Sequence, residues 1–186
     1  MRNMNGKRVV ITGGSQGLGL AMVEALAACG ANVIAIGRDR ANLSSAEHAG
    51  AAVIGGDATD ATLMNKVVRE EVPDVLILNA GARLPIKPID QQNWDEFSTV
   101  WNTDVKAGLV GIQAALHTPM KRGGRVLVMS SGAAMLLGAL IVIWRYLQRY
   151  LSQCWPPKND RGVKSRRLGR IQITDKCLIL LIKFSC

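Results

Sequence analysis

"RVVITGGSQGLG", Arg8 to Gly19, decides how this chain folds. An apolar run of Val and Ile breaks directly into a glycine-rich turn. Beyond the turn, Leu18, Met22, Ala25, Leu26 and Cys29 recur at three- and four-residue steps. The run reads as a buried strand, and the recurrence as a helix whose apolar stripe packs on the sheet. Glycines at 13, 17 and 19 let the chain turn tightly, and they leave the first free N–H groups of the helix facing whatever approaches the turn.

The same alternation continues through the first 138 residues. Further apolar runs stand at "ANVIAIG" (31–37), "AAVIGGD" (51–57), "DVLILNAG" (74–81) and "RVLVMSS" (125–131). Their apolarity is continuous rather than alternating, as expected of strands covered on both faces. Between them, Asp60 is placed to cap "ATLMNKVVREE", whose Leu63, Met64, Val67 and Val68 share a side. A longer helix is expected from about Trp94 to Leu116, with Trp94, Phe97, Trp101, Val105, Gly108 and Ile112 on one face and the two tryptophans read as helix packing. Strands alternating with helices through right-handed crossovers predict an α/β fold: a doubly wound parallel sheet, Rossmann-like, in three α/β/α layers and incomplete at the C-terminal side.

In such a fold the glycine turn suits a dinucleotide, whose pyrophosphate meets the backbone N–H groups at the helix N-terminus. A plain structural turn is the alternative reading of these glycines. After the second strand, where an acid would bind the ribose 2′-OH of NAD, stand Gly37 and Arg38. A cation there suits a 2′-phosphate, so NADP(H) is favoured over NAD(H). Asp57 after the third strand is placed to accept from adenine or to cap the next helix, and "NAG", Asn79 to Gly81, closes the fourth strand beside the same crevice.

Thr12 to Gly19, Asp57, Asn79 to Gly81 and the pair Ser130 and Ser131 stand in an order that resembles the short-chain dehydrogenase/reductase family over about residues 6–138. The resemblance implies NAD(P)(H) contacts from Gly13, Ser15, Gln16, Gly17, Leu18, Gly19, Arg38, Asp57, Ala58, Asn79, Ala80 and Gly81. It also implies hydride transfer to a small-molecule carbonyl or from an alcohol, with a tyrosine moving the proton, an adjacent lysine lowering that tyrosine's pKa and a serine holding the substrate oxygen. Ser131 matches the serine. The family's tyrosine position falls on Trp144, and neither Tyr146 nor Tyr150 has a lysine four residues on, so the chain contains no Y-x-x-x-K. Tyr146 is the nearest candidate for the proton donor. Asp104 falls where the family has an asparagine that supports a water and proton relay, with Asn102 on another helical face.

Beyond Gly138 the sequence changes character. Residues 1–144 hold 13 Lys/Arg against 12 Asp/Glu, whereas residues 145–186 hold 10 against 2, so the formal net charge of +9 belongs to the end of the chain. Three of the four cysteines lie there too, without C-x-x-C or zinc-like spacing, and no metal site is expected. The expected organisation is an NADP-binding unit at 1–139 followed by a basic, non-homologous tail at 140–186, of the kind a frameshift, truncation or alternative exon leaves. The implied function is NAD(P)(H)-dependent oxidoreduction, impaired by the missing Y-x-x-x-K. The alternative is a non-catalytic NADP(H)-binding remnant or sensor whose tail meets an acidic partner.

Val126 to Trp144 is uncharged over 19 residues, about 28 Å as a helix. Its first residues are the fifth strand, and Ser130, Ser131, Gly132 and Gly138 interrupt it, so a membrane partner is not expected. "KNDRGVKSRRLGR", Lys158 to Arg170, carries six cations and one anion without interleaved aromatics, which reads as a solvated stretch rather than a nucleic-acid site. "MRNMNGKRVVITGG" contains no signal-peptide h-region, which points to a cytoplasmic, reducing setting. The resemblance also implies that a homo-oligomer could form through the long helix.

Overall fold

The computed structural model describes residues 4–82, 88–118, 120–130, 169–174 and 177–183. In chain order the elements are β1 (Arg8–Thr12), α1 (Gly17–Ala28), β2 (Asn32–Gly37), α2 (Ser44–His48), β3 (Ala52–Gly55), α3 (Ala61–Glu71), β4 (Val75–Leu78), α4 (Trp94–Val100), α5 (Lys106–His117), β5 (Arg125–Ser130), β6 (Gly169–Thr174) and β7 (Cys177–Lys183). The five strands expected from the apolar runs form a parallel sheet in the order β3-β2-β1-β4-β5, the doubly wound arrangement, with the reversal of strand order between β1 and β4.

The central strands β1, β2 and β4 are covered on both faces because their side chains alternate between two cores, whereas β3 has no fully buried residue and β5 buries only Val126. Val9, Ile11, Val33, Ala35 and Ile77 face Val23 of α1 and Leu43 and Ala46 at α2. Val10, Ile34, Ile36, Leu76, Leu78 and Val126 face Met64, Val67 and Val68 of α3 and Val110, Ile112, Ala114 and Ala115 of α5. Three layers result, which explains why the strands read as unbroken apolar runs.

Asp60 caps α3 as its position predicts, accepting from the N–H groups of Thr62 at 2.8 Å and Leu63 at 3.3 Å, and the helix lays Met64, Val67 and Val68 on the sheet. α1 differs from expectation. Leu18, Ala25 and Cys29 are exposed and Met22 and Leu26 only partly buried, while the fully covered line is Gly19 and Val23. The cause is Gly19: a Cβ there would run into the Gly13 carbonyl oxygen, so the absence of one lets the helix settle on its glycine side.

The long helix also departs from the even periodicity expected of it. α4 and α5 are joined through a π-helical turn, Trp101–Val105, whose wider winding rotates α5 relative to α4. α5 buries Ala107, Val110, Ile112, Ala114 and Ala115, whereas α4 buries none of its residues. Trp94 and Trp101 do not pack into the core; they are 73% and 56% exposed, and Trp94 stands beside Phe97, itself exposed, with ring centroids 5.7 Å apart.

At the N-terminal ends of the strands, Asp74 ties three of them together. Its backbone N–H donates to Arg8 O and its carbonyl accepts from the Arg125 N–H. Its carboxylate accepts from the Arg8 N–H at 3.0 Å and from Lys7 Nζ and Lys121 Nζ, each at 3.2 Å. Burial pushes the Asp74 carboxyl pKa up, but these hydrogen bonds together outweigh it and leave the pKa below the ordinary carboxylate value.

The sheet continues past β5. β7 pairs antiparallel with β5, Val128 opposite Leu180, and β6 pairs antiparallel with β7. No strand was expected in this basic end, although "CLILLIK" carries the same continuous apolarity as the strands before it. Among the described residues no helix is long and apolar enough to cross a membrane, and Val126 to Ser130 is strand rather than helix.

Candidate cofactor and active site

The C-terminal ends of β1 to β4 surround a cleft of about 520 Å³. All twelve residues implied as cofactor contacts line it: Gly13, Ser15, Gln16, Gly17, Leu18, Gly19, Arg38, Asp57, Ala58, Asn79, Ala80 and Gly81. Scattered over the first 81 residues, they converge because parallel strands deliver every following loop to one end of the sheet.

The glycine turn is held by backbone geometry that side chains resist. Gly13 has φ 71°, and a Cβ on it would approach Ala80 Cα to 2.8 Å. Gln16, in extended conformation, precedes α1 and makes no side-chain capping bond to it, whereas Asp60 caps α3 and Asn93 forms a capping box on α4. The first N–H groups of α1 therefore open toward the cleft with the positive end of the helix dipole, and no acidic side chain stands in its first turn.

Thr12 holds this turn against β4. Only 1% exposed, its hydroxyl donates to Ile77 O at 3.4 Å and accepts from the N–H groups of Asn79 at 3.0 Å and Ala80 at 3.1 Å. Asn79 completes the strut, its side-chain amide donating to Thr12 O at 3.3 Å and Gly13 O at 3.2 Å. The sequence placed Asn79 as a cofactor contact and Thr12 as the first residue of the glycine turn, without a role for its hydroxyl. The available signal was a hydroxyl at the end of a buried strand, which must find partners inside the protein.

Asp57 accepts from the Thr59 N–H at 2.8 Å, shaping the loop after β3, and it leaves the capping of α3 to Asp60. Arg38 is exposed at the rim, while Arg40 is turned away by contacts to Val53 O at 3.2 Å and Glu47 at 3.8 Å. Arg38 thus lines the cleft at its β2 end.

At the opposite end the cleft is walled by Gly81, Ala82, Thr103 and Ala107. Behind that wall lies a second cavity of about 100 Å³, lined by Thr12, Asn79, Gly81, Asp104, Ala107 and Met129 among others. Asp104, carried on the π-helical turn, accepts from the Ala82 N–H at 2.6 Å and so fastens the loop after β4 to the helix. Burial raises its carboxyl pKa and the Ala82 hydrogen bond offsets this only in part. Ser131, Tyr146, Tyr150 and Trp144 lie outside the described residues, and β5 leads toward Ser131 from Ser130.

Fold and site together define an α/β protein of the doubly wound class with a cleft at the C-terminal ends of its strands. The family model for short chain dehydrogenase matches residues 7–143, and the chain belongs to that family. It is 31% identical over 134 residues to gluconate 5-dehydrogenase of Gluconobacter oxydans (strain 621H), covering 65% of this chain and 51% of that protein. It is likewise 31% identical over 135 residues to the cyclic-di-GMP-binding biofilm dispersal mediator protein of Escherichia coli (strain K12), covering 70% and 56%. Among solved structures, a blue fluorescent protein from a metagenomic library in complex with NADPH superposes with TM-score 0.64 at 28% identity, covering 82% of this chain and 70% of that one. The chain spans about half the length of the curated relatives it matches.

Proposed function

We propose that this chain binds NADP(H), in preference to NAD(H), in the cleft at the C-terminal ends of β1 to β4. The observation that carries this is the N-terminus of α1, without a side-chain capping bond from Gln16, opening behind Gly13 into a cleft with Arg38 at its far rim. The α1 N–H groups would hold the pyrophosphate, Arg38 the 2′-phosphate, and Asp57 with Ala58 the adenine side. The NADPH complex of a structural neighbour supports the cofactor class. Arg38→Ala should weaken NADP⁺ binding about tenfold or more, the scale of one lost charge-assisted hydrogen bond, while leaving NAD⁺ binding nearly unchanged. Isothermal titration with both nucleotides checks this; equal losses would remove the 2′-phosphate assignment.

When bound, the cofactor supplies or accepts hydride, and the chemistry proposed is reduction of a small-molecule carbonyl or oxidation of an alcohol. Ser131 would hold the substrate oxygen, Asp104 would take the relay position, and Tyr146 is the candidate proton donor. Because no lysine stands four residues after either tyrosine, proton transfer is impaired in this chain. The second reading is a non-catalytic NADP(H)-binding remnant or sensor, favoured by the same absence. NADPH binding without consumption across a panel of ketones and aldehydes selects the second reading; steady oxidation selects the first. We place the nucleotide-binding unit at 1–139, the basic segment at 140–186 and the protein in the cytoplasm.

A further inference from the structure

The cleft has two unlike ends. Its β2 end presents Arg38 and Asp57, and its middle is the glycine turn. With the 2′-phosphate at Arg38 and the pyrophosphate at α1, the nicotinamide is left the end walled by Gly81, Ala82, Thr103 and Ala107. Asp104 stands directly behind this wall. Its carboxylate oxygens lie 3.4 Å from where a Gly81 Cβ would be, and one of them holds the Ala82 N–H. The described residues around the smaller cavity are otherwise uncharged, so Asp104 is the single ionisable side chain among those that line it.

We propose that the Asp104 carboxylate selects the redox state of the dinucleotide, favouring the oxidised form with its cationic nicotinamide over the neutral reduced form. The inference rests on the cofactor reading above and adds to it a preference between two forms that share every phosphate, ribose and adenine contact. Because those contacts are common to both, they cancel in the ratio of affinities, and only a charge near the ring remains to separate them. For unit charges on the order of 8 Å apart, an effective dielectric constant between about 20 and 80 gives a bias of roughly two- to thirtyfold. An amide at this position would keep the acceptor for the Ala82 N–H and lose the bias, so the loop geometry and the charge are separable.

The test is the dissociation constants of NADP⁺ and NADPH, measured by isothermal titration at about pH 8 and low salt, for the native chain, Asp104→Asn and Arg38→Ala. Far-ultraviolet circular dichroism and the thermal midpoint establish that each variant is folded. In Asp104→Asn the ratio Kd(NADPH)/Kd(NADP⁺) should fall by roughly two- to thirtyfold, chiefly through weaker NADP⁺ binding. In Arg38→Ala both forms should weaken together with the ratio held. A ratio unmoved by Asp104→Asn, in a chain that binds both forms, overturns the inference and leaves the cofactor reading standing. Failure of the native chain to bind either form overturns both.

Discussion

Replacing the Thr12 hydroxyl with a methyl leaves two part-buried backbone N–H groups, those of Asn79 and Ala80, without their acceptor. Thr12→Val conserves shape, so the change isolates the hydrogen bonds; a loss of about 1–3 kcal/mol is expected. Thr12→Ser should retain most of the stability. Urea unfolding midpoints of the two variants test this, and equal midpoints for Val and the native Thr would show that the strut carries no weight. At this scale the sequence was legible where a residue's role follows from its own chemistry: glycine at 13 for a positive φ, Asp60 for a cap. It was not legible where the role depends on a residue more than 60 positions away, as for Thr12 against Ile77, Asn79 and Ala80.

Elements are set by local pattern, but their exact faces and junctions are set by contact. α3 lies as its stripe predicts because its Leu, Met and Val residues meet an open sheet surface. α1 instead follows Gly19, since close approach of backbone to backbone gains more contact than any single exposed Leu would. β1, β4 and β5 are joined at their N-terminal ends through Asp74, an ion-pair centre with its own pH signature. A carboxyl whose folded pKa lies below its unfolded value adds stability above the unfolded value, near 3.8, and loses it as pH falls through the folded one. Asp74→Ala should therefore cost about 1–3 kcal/mol at neutral pH, from the unpaired Arg8 N–H and lost charge-assisted bonds. The deficit should shrink as pH falls below about 3.8, a trend that urea denaturation across pH would reveal. A deficit independent of pH would point to packing rather than charge.

At the scale of the molecule, the described surface exposes Trp94 and Phe97 on α4 and Trp101 at its end, with Leu109 exposed on α5. A surface aromatic cluster of this kind is costly to leave in water and suits burial against a second copy, in keeping with the homo-oligomer expected of the long helix. The expected outcome is self-association in sedimentation velocity, abolished by Trp94→Lys with Trp101→Lys. Because both side chains are exposed, the double variant should keep its thermal stability to within about 1 kcal/mol. A monomeric native chain at tens of micromolar would rule this out.

The sequence by itself determined the α/β alternation, the two-sided burial of the central strands, the cap of α3, the family and the set of residues that meet at the strand ends. Each of these is written in short-range pattern, or in the rule that parallel strands bring their following loops to one edge. Only the tertiary structure decided that α1 packs on its glycine side, that the tryptophans stay exposed, that a π-helical turn carries Asp104 behind the cleft wall, and that the basic end returns as an antiparallel pair on β5. Those outcomes depend on how closely two backbones approach and on which edge is open, and neither quantity exists until the chain has folded.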